Sequence, residues 1–128
     1  MGLVRAKDTK PELRVRVALR SLGYRYRTHQ RRLLGTPDVV LPSQRKVIFV
    51  HGCFWHRHKG CSRTRVPKSR VVFWQRKFEE NVARDRRVRR ELAKRGWRST
   101  VIWECLTEKP DALRRRLLRF LELHPERG

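Results

Sequence analysis

The stretch DVVLPSQRKVIFV, residues 38–50, decides how the chain folds. Two β-rich runs, DVVL (38–41) and KVIFV (46–50), flank PSQR, a pattern that predicts a β-hairpin. The second run is apolar after Lys46 without alternation, so it is expected to lie centrally in a sheet, covered on both faces. Upstream, Tyr24–Thr28 alternates like a third strand. Before it, TKPE (9–12) reads as a capping box with Thr9 as N-cap, Glu12 at N3 and Pro11 in the first turn. The helix it opens is expected to present Leu13, Val17, Ala18 and Leu22 to the core and to stop at Gly23. Downstream, a long helix runs from Val71 to Gly96 with an apolar stripe of Trp74, Phe78, Val82, Val88 and Leu92. WRSTVIWE (97–104) is a further strand, and residues 110–123 form a last amphipathic helix with Leu113, Leu117, Phe120 and Leu121 inward. The order α-β-β-β-α-β-α predicts one α/β domain over residues 1–128, a mixed sheet flanked by helices. Residues 1–8 lack periodicity and are expected to form a mobile arm.

Charge narrows the function. Lys and Arg total 34 against 12 Asp and Glu, a formal net charge of +22. The excess runs through the whole chain, so the protein repels itself unless a polyanion neutralises it, and nucleic acid is the expected partner. An anionic membrane surface is the rival, but no apolar run approaches the ~20 residues of a span and no signal-peptide pattern opens the chain. Three cysteines cannot complete a disulfide framework, and a reducing compartment is the expectation.

Those cysteines lead to HGCFWHRHKGC, residues 51–61, where three histidines and two cysteines surround Phe54-Trp55. Cys53, one histidine and Cys61, with Cys105 at the end of a strand, supply a closed Cys₃His set for structural Zn²⁺. The spacing admits either His56 or His58 as the nitrogen ligand. Asp38, directly after Pro37 at a strand start, fits either a turn or a Mg²⁺ ligand. Asp85 lies on the apolar stripe of the long helix, three residues from both Val82 and Val88. A carboxylate there needs a partner. Neighbouring arginines would make it structural, whereas a histidine from the 51–61 loop would make it functional.

Taken together, TKPE, GTPDVV, VIFVHGCFWHRH, FWQRKFEENVARDRR and GWRSTVIWEC resemble the very-short-patch-repair (Vsr) DNA mismatch endonucleases, from about residue 5 to 106. The resemblance implies a restriction-endonuclease-like core of the PD-(D/E)xK type. It also implies strand-specific nicking of duplex DNA 5′ of the thymine in a T:G mismatch, the lesion left by deamination of 5-methylcytosine. By position, Asp38 resembles the Mg²⁺ ligand and the main-chain carbonyl of Val50 the second protein contribution, with two Mg²⁺ ions when DNA is bound. His56 resembles the catalytic histidine, His51 and Asp85 a supporting pair, and Glu12 an active-site acid, although its capping box explains it without chemistry. Cys53, His58, Cys61 and Cys105 resemble the zinc ligands. Phe54, Trp55 and Trp74 resemble an aromatic wedge inserted beside the mismatch, and Lys77 and Asn81 resemble residues near the mismatched bases. For Trp74 an ordinary core position is the rival reading.

Two departures stand out: Val50 occupies a threonine position, and one additional residue separates His58 from Cys61. Beyond Cys105 the family varies, so residues 107–128 inherit no role. The resemblance further implies a monomer in the bacterial cytoplasm at the nucleoid, with repair proteins as possible partners. A non-catalytic zinc-dependent DNA-binding module would explain the charge and the cysteines but leave Asp38, His56 and Asp85 without a purpose. A nuclease of the same fold with another specificity is the nearer alternative.

Overall fold

The computed structural model describes residues 8–122. Four strands form one mixed sheet in the order β1-β2-β3-β4: Arg27–Thr28, Val39–Leu41, Lys46–His51 and Arg98–Trp103. β2 and β3 make the expected hairpin, antiparallel with Val39 opposite Ile48, closed by a short 3₁₀ turn over Pro42–Gln44 and a left-handed Arg45. β3 then pairs parallel with β4, Lys46 opposite Arg98 through His51 opposite Trp103. β3 is therefore central, and β4 is an edge. β1 keeps only two paired residues of the five expected. Helices α1 (Lys10–Ser21), α2 (Val71–Lys94), α3 (Glu104–Thr107) and α4 (Pro110–Glu122) flank the sheet. None is long and apolar enough to cross a membrane.

Strand alternation sorts the core into two layers. Val39, Leu41, Ile48 and Ile102 face α1 and α4, where Val15, Ala18, Leu19, Leu113, Leu117, Phe120 and Leu121 bury them. Val40, Val47 and Phe49 face α2, packed by Leu92, Val88 and Val101. Asp38 shares the parity of Val40, and His51 that of Val47 and Phe49, so both fall on the α2 side. That parity positions the site.

The apolar face of α1 is a correction. Leu13 and Val17 are 44% and 62% exposed, and the buried set is Glu12, Val15, Ala18 and Leu19. The capping box is present: the Glu12 N–H donates to Thr9 Oγ1 at 3.4 Å. Val15, Ala18, Leu19 and Leu22 follow the i, i+3, i+4, i+7 spacing of one helix face, which Leu13 and Val17 do not share. The stripe of α2 is also thinner than expected, since Phe78, Asn81 and Leu92 are buried while Trp74, Val82 and Val88 are half-buried. Most of the expected N-terminal arm lies outside the described residues. Asp8, its last residue, is exposed and held by Arg16 Nη2 at 2.7 Å.

Two connections carry weight. Lys46 is fully buried, and its Nζ donates to the carbonyls of Phe120 and Leu121 at 3.1 and 3.0 Å, placing a cation at the C-terminal end of α4. Gly35 has φ +78°, and a Cβ there would lie 2.5 Å from Val88 Cγ1, so only glycine lets this loop close onto α2.

Candidate active site and metal centre

The C-terminal end of β3, the start of β2 and the middle of α2 open onto a cleft of about 680 Å³. Glu12, Asp38, Val50, His51, His56, Asn81 and Asp85 line it, together with Phe54 and Trp55. Asp38 is buried, and its Oδ2 accepts the Val50 N–H at 2.7 Å, which fixes the carboxylate against the central strand. Across the cleft, Asp85 Oδ2 lies 2.6 Å from His56 Nδ1, a distance typical of a charge-assisted hydrogen bond. His51 Nδ1 is 4.0 Å from the same oxygen, and its ring stacks on His56 at 3.8 Å and 9°. Asp85 therefore bonds His56, while His51 supports the His56 ring from its face. Glu12 is buried at the α1 side of the cleft, where Arg16 Nη2 and His29 Nε2 approach Glu12 Oε1 at 3.4 and 3.5 Å.

With Nδ1 held by a carboxylate, the tautomer left to His56 carries its lone pair on Nε2. A neutral imidazole so oriented can accept a proton from water. Hard oxygen donors, the buried Asp38 carboxylate and the β3 main chain at Val50, suit Mg²⁺ and leave most of its shell to water and phosphate.

The second cluster lies on the other side of the same loop. One ligand atom from each of Cys53, His58, Cys61 and Cys105 lies within 4.8 Å of the others, whereas His56 groups with His51 and Asp85. Tetrahedral Zn²⁺ with Zn–S of about 2.3 Å and Zn–N of about 2.0–2.1 Å holds sulfur and nitrogen about 3.6 Å apart. Cys53 Sγ and Cys105 Sγ are each 3.6 Å from His58 Nδ1. The donor set and its spacing fit Zn²⁺. Trp103 stacks on the His58 ring at 4.3 Å and 10°, fixing its orientation. Burial pushes the Cys53 thiol up to about 12, while the Arg63 N–H draws Cys61 below its usual value. A cation bound in the cluster would favour the Cys53 thiolate against that burial.

Phe54, Trp55 and Trp74 gather on Phe78 with centroid separations of 5.0 to 6.5 Å. Arg57 fastens the cluster from behind: its Cζ lies 3.9 Å over Phe78, and its guanidinium donates to the carbonyls of Phe54 and Thr64. Trp74 and Lys77 stand outside the cleft lining. Asn81 is buried; its Nδ2 donates to the Trp55 carbonyl at 3.5 Å, and its Oδ1 accepts from Arg84.

Sequence reasoning assigned nothing to Arg57 or Glu104. Glu104 lies between Trp103 and Cys105 in the WEC motif, lines the cleft and accepts the Cys53 N–H at 3.2 Å. Its place in that motif was the available signal. Arg57 gave none, because one arginine among many in a basic loop is indistinguishable until its ring contact is seen.

Residues 1–63 match the family model described as DNA mismatch endonuclease Vsr. The chain is 51% identical over 122 residues to the type II nicking enzyme V.XorIIP of Xanthomonas oryzae pv. oryzae, covering 95% of this chain and 89% of that protein. It is 41% identical over 118 residues to the type II nicking enzyme V.NmeAIP of Neisseria meningitidis, covering 92% and 84%. It is 42% identical over 105 residues to the DNA mismatch endonuclease Vsr of Escherichia coli, covering 82% and 67%. The chain belongs to the Vsr family, and it is a DNA endonuclease.

Proposed function

We propose that the chain nicks one strand of duplex DNA on the 5′ side of the thymine in a T:G mismatch, on a restriction-endonuclease-like core, with Mg²⁺ as catalytic cation and Zn²⁺ as structural metal. The observation that carries this reading is the meeting of Asp38, His56 and Asp85 in one cleft that Phe54 and Trp55 also line. Nicking enzymes among the relatives support single-strand cleavage.

Asp38 would hold the catalytic cation, with the Val50 carbonyl beside it. The cation would stabilise charge developing on the phosphate and acidify a bound water. The remaining steps belong to the chain. His56 Nε2 takes the proton of the attacking water, and Asp85 stabilises the imidazolium that results. His51 keeps the His56 ring from rotating away. Phe54, Trp55 and Trp74 enter the base stack, an unstacking that costs a few kcal/mol and least at a mismatched step. Lys77 and Asn81 stand beside the wobble pair. The protein acts as a monomer in the bacterial cytoplasm.

A panel of end-labelled heteroduplexes tests the proposal. Nicking of the thymine strand in T:G duplexes, dependent on Mg²⁺, is the expected result. Equal cleavage of matched DNA, or of both strands, would overturn it.

A further inference from the structure

Beside the last turns of α2, the start of β4, the edge strand among the described residues, lines a second cleft, about 650 Å³ in volume. Arg89 and Arg90 enter it from α2, Arg98 from the strand, and Arg116 and Arg119 from α4. No lining residue is acidic, and among the described residues none of these five arginines forms an ion pair. Two of them are held in place. Arg89 Nε donates to Ser99 Oγ at 3.0 Å, and Arg116 Nη2 donates to Thr100 Oγ1. Burial, then the nearby Arg119 and Arg89, lower the Arg116 pKa, the mark of a cation lacking its counter-charge.

Charged side chains commonly protect an edge strand from pairing with another chain, and one or two suffice for that. Five, two of them pinned to the strand, exceed that need and repel one another without an anion. Arg89 also lines the active-site cleft, so the two clefts meet along α2. From Asp85 to Ala93 the helix rises about 12 Å, or ~3–4 base pairs at 3.4 Å each.

We propose that the arginine cleft on the β4 edge is a phosphodiester-binding subsite that grips the DNA backbone a few nucleotides from the nick. It rests on the reading of this chain as a DNA-nicking enzyme. Planar guanidiniums suit bidentate phosphate contacts, and those that Ser99 and Thr100 orient lose less freedom on binding.

The test measures binding of a fluorescein-labelled 30-base-pair T:G duplex at several salt concentrations, with Ca²⁺ in place of Mg²⁺. Arg119→Ala is compared with Arg114→Ala, a change on the same helix whose arginine is paired with Asp111 at 2.6 Å. Arg119→Ala should flatten the slope of log K against log[salt] by about 0.9, one phosphate contact, and Arg114→Ala should not. Trimming the duplex to fewer than ~3 base pairs on one side of the nick should abolish the difference between Arg119→Ala and wild type. Arg116→Lys, which keeps the charge but loses the fork, should weaken binding several-fold without changing the slope. Equal slopes for Arg119→Ala and Arg114→Ala would overturn the proposal, leaving the cleft to an acidic protein partner or to protection of the strand edge. Matched duplex is a separate arm. Wild-type protein that never nicks T:G DNA but keeps the Arg119-dependent slope would sink the nicking assignment alone.

Discussion

Replacing Asp85 by asparagine tests the proposed chemistry at its narrowest point. The carboxylate oxygen is 2.6 Å from His56 Nδ1, and the substitution keeps size and shape while removing the charge. A hydrogen bond to a charged group is worth about 1.5–3 kcal/mol. At 1.36 kcal/mol per tenfold, that is roughly 10- to 150-fold in rate. An amide can also present its NH₂ to Nδ1, driving the imidazole proton onto Nε2 and removing the base, which adds to the loss. We therefore expect single-turnover nicking of a T:G duplex to fall about 10²-fold, with binding in Ca²⁺ and zinc content unchanged. His56→Ala should cost more, up to the 10²–10⁴-fold of general base catalysis, and the double variant little beyond that, because the two act as one unit. His51→Ala should cost less than tenfold, since its Nδ1 stands 4.0 Å from Asp85 and it contributes mainly its stacked face. Asp85→Asn nicking within threefold of wild type, or a larger loss in His51→Ala than in Asp85→Asn, would refute the assignment.

Other substitutions separate the remaining roles. Asp38→Ala should abolish nicking and retain T:G binding; loss of binding of the same size would make the carboxylate structural. His58→Ala and Cys105→Ser should each lose bound zinc and lower the melting temperature, whereas His56→Ala keeps both, as a colorimetric chelator assay and calorimetry would read. Trp74→Ala should weaken T:G binding by about 1–3 kcal/mol and leave matched binding nearly unchanged; an equal loss in both would mark the ring as packing alone. Lys46→Met keeps the buried stem but removes two hydrogen bonds to α4, so denaturant titration should show a loss of about 2–4 kcal/mol with zinc retained.

What could be read from the sequence follows from how local its cause is. The hairpin, the helices and the central position of β3 come from short-range patterning, and the structure has all of them. Asp85 announced itself because a carboxylate three residues from two valines needs a partner. The sequence offered a histidine of the 51–61 loop as that partner, but which one, His56, 29 residues away, is a matter of tertiary geometry. The helix α3 that holds Cys105 is four residues long, too short for any periodicity to declare. The role of Lys46 has no such local sign. Its acceptors are the carbonyls at the C-terminal end of α4, which begin 74 residues later in the chain. Likewise, nothing in a chain with 34 basic residues singles out the five arginines of the β4 cleft; their grouping is a property of tertiary structure.

The loop after β3 explains why cysteines, aromatics and the proposed catalytic histidine crowd into eleven residues. Cys53 and His58 turn to the cluster they form with Cys61 and Cys105, Phe54 and Trp55 to the aromatic cluster, and His56 to Asp85. Main-chain bonds from His58 N–H to Cys53 O and from His56 N–H to Gly52 O wind all of them into one tight turn, so none can shift alone. A catalytic group must be held within about 0.5 Å, which a surface loop rarely manages unaided. Zn²⁺ bridging this turn to Cys105 on α3 would tie the turn to the end of β4. Removing zinc should then lower rate and mismatch selectivity together, whereas Asp85→Asn lowers rate alone. A zinc-free protein that still folds, discriminates T:G and nicks at near-native rate would show that the metal and the chemistry share a loop without depending on each other.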